Sequence, residues 1–104
     1  MMYKIEYLPV ALRDLVEIAT YIGVELDNPN AADRLADDIA ESVSAASEQP
    51  YMYPLYNPIK PLKYEYRKIV VRNYDVFYWV DEHTKTITVA RVIYAGRDIK
   101  KLLK

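Results

Sequence analysis

Three runs rich in Val, Ile, Thr and aromatic residues follow one another in the second half of the chain: YEYRKIVV from Tyr64, YDVFYWV from Tyr74 and TITVARVIYAG from Thr86. Short polar breaks, Arg72-Asn73 and then Asp81 to Lys85, separate them. That pattern is the signature of consecutive antiparallel strands and predicts a three-stranded meander. Asn73 tolerates positive φ, so the first break suits a tight two-residue turn and the second a longer hairpin loop. In the middle run Tyr74, Val76, Tyr78 and Val80 share one face, while Asp75, Phe77, Trp79 and Asp81 share the other. Large apolar groups therefore stand on both faces. One face is expected to pack on helices from the first half of the chain. The other, with Phe77 and Trp79, is either covered by a loop or tail of the same chain or serves a partner.

The residues before the meander supply the helices. Tyr3 to Leu8 alternates imperfectly and reads as a first, short strand, which Pro9 ends while opening a helix at a position where its missing N–H costs nothing. From Pro9 to about Gly23, Leu12, Leu15, Ile18, Ala19 and Ile22 form an apolar stripe, with Arg13, Asp14 and Glu17 expected on the opposite side. Asn28-Pro29 is an N-cap followed by a first-turn proline. Ala32, Leu35, Ala36, Ile39, Val43 and Ala46 then mark a second amphipathic helix that Pro50 stops, its many alanines predicting close approach to its neighbours. Pro50 to Lys63 holds four prolines and cannot be regular structure, yet it is apolar enough to pack along a sheet edge. The order is β-α-α-β-β-β: an α+β fold with a helical hairpin on a small, mainly antiparallel sheet, and a short helix or tail at Arg97 to Leu103.

With 104 residues the chain is long enough for one core, so residues 1–104 are read as a single domain. The absence of Cys excludes disulfides and thiolate metal sites. No apolar run reaches the ~18 residues needed to span a bilayer, and MMYKIEYLPV lacks a signal-peptide core, so a cytoplasmic protein without membrane partners is expected. The net charge of -1 conceals an asymmetry. Residues 1–50 carry three bases against ten acids, and residues 51–104 eleven bases against five acids. The asymmetry points to a basic surface on the sheet half able to attract a polyanion or an acidic protein, the alternative being that the two halves neutralise each other by packing together.

Familiar sites are missing from the sequence. Gly23 and Gly96 are the only glycines, so there is no phosphate-binding glycine loop, and the single His83 lies in a polar hairpin break. Asp33, Asp37 and Asp38 form the polar face of a helix, and neither a metal nor another cofactor is expected. What remains is a set of bases and tyrosines on the sheet half, among them Lys63, Arg67, Lys68, Arg72, Arg91, Tyr94 and Arg97. Arg and Lys neutralise phosphates, and Tyr or Trp stack on bases. A metal-independent nuclease could orient a ribose hydroxyl and stabilise charge on phosphorus with such groups.

Four segments add a resemblance to this reading. The Asn-Pro-x-Ala-Ala-x-Arg helix start (Asn28, Pro29, Ala31, Ala32, Arg34), the Tyr66 to Ile69 strand, the Tyr74 to Tyr78 strand and the Arg-Val-Ile-Tyr-Ala-Gly-Arg-Asp ending from Arg91 to Asp98 resemble the RelE/ParE superfamily of bacterial toxins. The likeness covers almost the whole chain. It implies the toxin half of a type II toxin-antitoxin pair, silenced by an antitoxin that wraps it. RelE-like members cleave mRNA in the ribosomal A site without metal, and ParE-like members poison DNA gyrase. By this resemblance Lys68 matches a basic position of the second strand and Arg97 the basic position after the last one. Tyr94 stands where other members often have His, and Asp75 where ribonuclease members carry a phosphate-binding Arg. A carboxylate there repels a phosphate, so gyrase-type or other non-cleaving inhibition is the favoured expectation. In the alternative, a ribosome-dependent endoribonuclease, Lys68, Arg97 and Tyr94 are the catalytic candidates. Lys63, Arg67, Arg72, Phe77, Trp79 and Arg91 are the candidates for contact with antitoxin or target, and a non-toxic binding module with a basic sheet face is the third reading.

Overall fold

A computed structural model describes residues 2–56, 64–97 and 102–103. In chain order they form β1 (Lys4–Tyr7), α1 (Pro9–Thr20), a π-helical turn (Tyr21–Glu25), α2 (Pro29–Glu48), β2 (Arg67–Val71), β3 (Tyr74–Asp81) and β4 (Thr86–Tyr94). The strands make one sheet in the order β1-β4-β3-β2. The meander is antiparallel as expected, and β1 joins it parallel to β4. The result is the expected α+β arrangement of two helices on one face of a four-stranded sheet. Lys63 and Asp98 to Lys101 lie outside the described residues, and with them most of the expected C-terminal helix or tail.

Local chemistry sets the helix limits. Pro9 occupies the first turn of α1 and Pro29 that of α2, where the Asn28 side chain accepts a hydrogen bond from the Ala31 N–H at 3.1 Å. The first helix ends in a wide turn closed by Leu26 N–H donating to the Tyr21 carbonyl at 2.9 Å, and Asp27 then reverses the chain at φ 51°. The expected stripe of α2 holds apart from Ala36, which is exposed, with Ala32, Leu35, Ile39, Val43 and Ala46 buried. The expected orientation of α1 does not. Ala11 and Asp14 are buried while Leu12 is 51% exposed, so the helix is turned about one residue from the predicted register. Asp14 lies three residues after Ala11 and four before Ile18, on the side that faces the sheet.

Both hairpins form, with the positive φ of the tight turn on Arg72 (54°) and not on Asn73. The opposed faces of β3 are also as read. Val76 and Tyr78 join Ile69, Val71, Ile87, Val89 and Val92 beneath Leu35, Ile39 and Val43. The hydroxyl of fully buried Tyr78 donates to the Pro50 carbonyl at 2.7 Å, which satisfies its donor, and burial pushes its pKa up to about 12. On the far face, Phe77 packs with Tyr66, Ala90, Ile93 and Leu103.

Phe77 is therefore fully buried by its own chain, which corrects the expectation that it meets a partner directly. Tyr56 contributes to the cover through an edge-to-face contact 5.3 Å from the Phe77 ring. Trp79 is only partly buried, with Tyr64 stacked on it at 4.0 Å and Tyr66 meeting it edge-on at 5.9 Å. As far as Tyr56 the segment after Pro50 does run along the sheet edge, and the rest of the expected stretch, residues 57–63, lies outside the described residues. Leu55 bridges to Arg67, and the N–H groups of Tyr56 and Lys68 bond to the carbonyls of Tyr66 and Pro54 at 2.8 and 3.1 Å.

One irregularity in β4 shapes everything that follows. Phe77 pairs with Arg91 but Tyr78 with Val89, so Ala90 is an extra residue, a β-bulge. Strict alternation would send Val89 and Val92 to opposite faces; the bulge lets both join the helix-side core.

Candidate functional site

Because β1 ends at Tyr7 opposite Val89, the rest of β4 has no neighbouring strand on that side. Its backbone N–H groups would be left open there, and α1 supplies the substitute. The Asp14 Oδ2 accepts from the Val92 N–H at 3.0 Å and from Arg91 Nε at 2.7 Å, while Oδ1 accepts from Arg91 Nη2 at 2.9 Å. This bidentate pair is well buried, with side chains 18% and 9% exposed for Arg91 and Asp14. The hydrogen-bonded Asp14 carboxylate raises the Arg91 pKa further above its already high value. The remaining arm of Arg91, Nη1, donates to the Leu102 carbonyl at 3.1 Å. Arg91 thus ties α1, β4 and Leu102 together, with three of its five N–H donors used within the chain.

Beside this clamp lies a cleft of about 630 Å³ between α1 with its π-helical turn, the start of α2 and the end of β4. Tyr21, Tyr74 and Tyr94 are its aromatic walls, and Arg72, Asn73 and Arg97 line it at the hairpin end. Tyr94 is half exposed and meets the Tyr74 ring edge-on at 5.6 Å. Burial, with Tyr94 and Tyr21 close by, raises the Tyr74 pKa, so its hydroxyl remains a neutral donor at physiological pH. Arg97 is exposed, at the turn where its N–H bonds to the Tyr94 carbonyl at 3.0 Å. Arg72 is exposed too but held by Asp38, with Nε at 2.8 Å and Nη2 at 2.7 Å from Oδ2. The cleft offers stacking surfaces, hydroxyl donors and one guanidinium, that of Arg97, without a charged partner among the described residues.

The three catalytic candidates divide between the two faces of the sheet. Tyr94 stands opposite Tyr74 on the helix side and Arg97 lines the same cleft. Lys68 pairs with Phe77 and so points to the far face, since its neighbour Ile69 belongs to the helix-side core. Asp75 is on the far face as well, only 4% exposed between Val70 and Ile93. Of the remaining contact candidates, Arg67 staples the Pro50 to Tyr56 segment: its Nη1 donates to the Tyr53 carbonyl at 2.7 Å, and its guanidinium sits 4.9 Å from the Tyr51 ring. Trp79 keeps partial exposure, and Lys63 lies outside the described residues.

Sequence reasoning missed Asp14, Tyr21 and Tyr74 as parts of this region. The signal for Asp14 was available, an acid at i+3 from Ala11 and i−4 from Ile18. Tyr74 was placed on its face by strand alternation but not linked to a site, and for Tyr21 there was no signal, because its place in the cleft depends on how α1 packs on the sheet.

The fold recurs in solved structures of toxin-antitoxin systems. The chain superposes on a protein of the chromosomal ParDE toxin-antitoxin system from P. aeruginosa with a TM-score of 0.70 and 20% identity, over 89% of this chain and 96% of that one. The toxin-antitoxin complex RelBE2 from Mycobacterium tuberculosis gives a TM-score of 0.61 at 16% identity, over 90% and 99% of the two chains. The archaeal RelE-RelB complex from Pyrococcus horikoshii OT3 gives 0.62 at 13%, over 94% and 100%. No curated protein sequence is significantly similar to the chain. At sequence level, residues 5–99 match the family described as the ParE toxin of type II toxin-antitoxin system, parDE. With nearly its whole length inside that match, and with the fold of the RelE/ParE superfamily, the chain belongs to the ParE toxin family of type II toxin-antitoxin systems.

Proposed function

We propose that this toxin inhibits its target without cleaving RNA, by a gyrase-type protein contact made through the Tyr21, Tyr74, Tyr94 and Arg97 cleft, and that a cognate antitoxin silences it by covering the same region. One observation carries the reading: Lys68 is on the opposite face of the sheet from Tyr94 and Arg97. General acid-base cleavage needs its proton-transfer groups within hydrogen-bond reach of one phosphate, and a sheet stands between these. Two further features support it. Arg91 is committed to Asp14, and Asp75, where the resemblance leads one to expect a phosphate-binding Arg, is a buried carboxylate. A tyrosine-rich cleft with an exposed Arg has the composition of the anchors that dominate protein interfaces.

An antitoxin is proposed because the similar P. aeruginosa, M. tuberculosis and P. horikoshii structures belong to toxin-antitoxin systems or complexes. A segment that folds on binding could cover the cleft together with the partly exposed Trp79 face, and acidic residues in it would meet Arg97.

Two assays test the target. Purified protein is incubated with gyrase and supercoiled DNA, and separately with programmed ribosomes followed by mapping of mRNA ends. Trapped gyrase-DNA cleavage complexes with intact mRNA uphold the proposal. Codon-positioned cuts that vanish in Arg97→Ala overturn it in favour of the endoribonuclease.

A further inference from the structure

Among the described residues the outer edge of β1 is open around Ile5, and its sequence is suited to pair with itself. We propose that this face joins two copies of the chain, β1 lying antiparallel to β1 of the second copy across a twofold axis through Ile5. The backbone phase fits. Lys4 N–H bonds to the Lys85 carbonyl at 2.9 Å and Leu8 N–H to the Val89 carbonyl at 2.9 Å, so even-numbered residues of β1 face β4. The N–H and C=O of Ile5 therefore point away from the sheet, and two Ile5 residues can exchange both hydrogen bonds as an antiparallel pair. Side chains agree with this register. Centring on Ile5 sets Lys4 opposite Glu6 of the second copy, and Glu6 opposite its Lys4, which gives two cross-strand ion pairs on one face. Lys4 and Glu6 are exposed, and neither takes part in an ion pair among the described residues. Ile5 is 39% exposed, and its burial against its counterpart adds an apolar contact on the other face.

The other edges are partly managed among the described residues: Leu55 bridges to Arg67 at the start of β2, and the free part of β4 is capped by Asp14. At the outer edge of β1, among the described residues, only the Tyr3 N–H is taken, by the Ser47 carbonyl at 2.7 Å, which limits the pairing to the residues around Ile5. The contact is short, so the dimer is weak, forming on the order of 10–100 μM. A second copy is favoured over a foreign strand because the Lys4-Ile5-Glu6 order is its own complement when reversed. The dimer would carry both helical hairpins on one face of a continuous sheet and leave both tyrosine clefts free.

Sedimentation velocity over a concentration series tests this with the free, full-length chain. The wild type is expected to shift from 12.1 kDa toward twice that mass. Glu6→Lys sets Lys4 against a second lysine and should raise the dimer dissociation constant about tenfold, and Lys4→Glu with Glu6→Lys should restore it. Ile5→Pro removes an outward N–H that β4 does not use and should leave a monomer. Because the chain has no Cys, Ile5→Cys gives a direct readout. Residues so paired have Cα atoms about 5.5 Å apart, within disulfide range, and oxidation should yield a covalent dimer. A wild type that stays monomeric throughout overturns the proposal, as it would if the edge instead receives a strand from a different protein. A dimer unchanged by Glu6→Lys, in a variant shown to be folded, overturns it equally.

Discussion

Asp14 on the first helix takes the place of a missing strand: its Oδ2 lies 3.0 Å from the Val92 nitrogen, where a neighbour of β4 would otherwise supply a carbonyl. The same carboxylate holds Arg91 in two charge-assisted bonds, and Arg91 in turn holds the Leu102 carbonyl. One acid on a helix thus closes a sheet edge, fixes the end of the last strand and anchors the C-terminal residues. Removing either partner leaves the other buried and uncompensated. Asp14→Ala and Arg91→Ala are each expected to lower unfolding free energy by about 3 kcal/mol in urea titrations. The double variant should cost clearly less than the sum, as one interaction cannot be lost twice. Additive losses would show that the two residues act independently.

Much of this architecture was legible in the sequence for physical reasons. Pro9, Asn28-Pro29 and Pro50 punctuate the helices by local chemistry, and the alternation in Tyr74 to Asp81 assigns both sheet faces correctly. What could not be read depends on contacts between distant residues. The apolar stripe of α1 is broad, and whether Leu12 or Asp14 faces the sheet is decided by Arg91, 77 residues away. The Ala90 bulge leaves no local mark, since Val and Ala are acceptable in either pairing. The candidate site suffered most. Lys68, Tyr94 and Arg97 were brought together by the family resemblance, and strand parity, which separates Lys68 from the other two, needs the observed register.

The far-face cluster makes a prediction about Phe77 that separates structure from binding. Phe77 is fully buried among Tyr66, Ala90, Ile93 and Leu103, so Phe77→Ala should destabilise the protein by about 3–5 kcal/mol. Trp79, half-covered by the stacked Tyr64 ring, should report local opening of this face through its fluorescence. A Phe77→Ala protein of unchanged melting temperature would show that the cover is loose.

At the other end of the molecule, the hydroxyls of Tyr3 and Tyr51 and the Lys85 ammonium converge on Glu82, with Tyr3 Oη 2.7 Å from Oε1 and Lys85 Nζ 2.5 Å from it. Hydrogen bonds from Lys85, Tyr51 and Tyr3 hold the Glu82 pKa down to about 2, from an ordinary value of 4.5. A carboxyl whose pKa is depressed by folding contributes stability that is complete above its unfolded value and lost as pH falls. The stability curve should therefore decline between about pH 4.5 and 2, and Glu82→Gln should flatten that part of it. Tyr51 mirrors this at the alkaline end. Its Glu82 bond raises its pKa to about 12, so its share is present below pH 10 and disappears as pH rises through 12. The cluster is exposed and salt-screened, so the Glu82 step should shrink in high salt. Thermal melts across pH at two ionic strengths measure both effects, and a Glu82→Gln profile that overlays the wild type would show that other carboxylates govern the acid limb.

The last prediction concerns the cleft, where stability and function should come apart. Arg97 is exposed, on a turn, and free of any charged partner among the described residues, while Tyr94 keeps half its surface open against Tyr74. Surface substitutions at such positions cost little folding free energy, about 0.5 kcal/mol for Arg97→Glu. If the cleft is the contact surface for the target, the same change removes an anchor and introduces repulsion, and inhibition should fall at least about tenfold. Tyr94→Ala should act in the same direction, with a modest stability loss from the Tyr74 contact. Lys68→Ala, on the far face, should leave target inhibition intact, because no side chain there reaches the helix side of the sheet. Growth arrest on induction, read alongside the melting temperature of each purified variant, supplies both numbers. Loss of arrest in Lys68→Ala with full stability would move the functional surface to the far face, to the side of Trp79 and Asp75, and would remove the main support for a non-cleaving toxin.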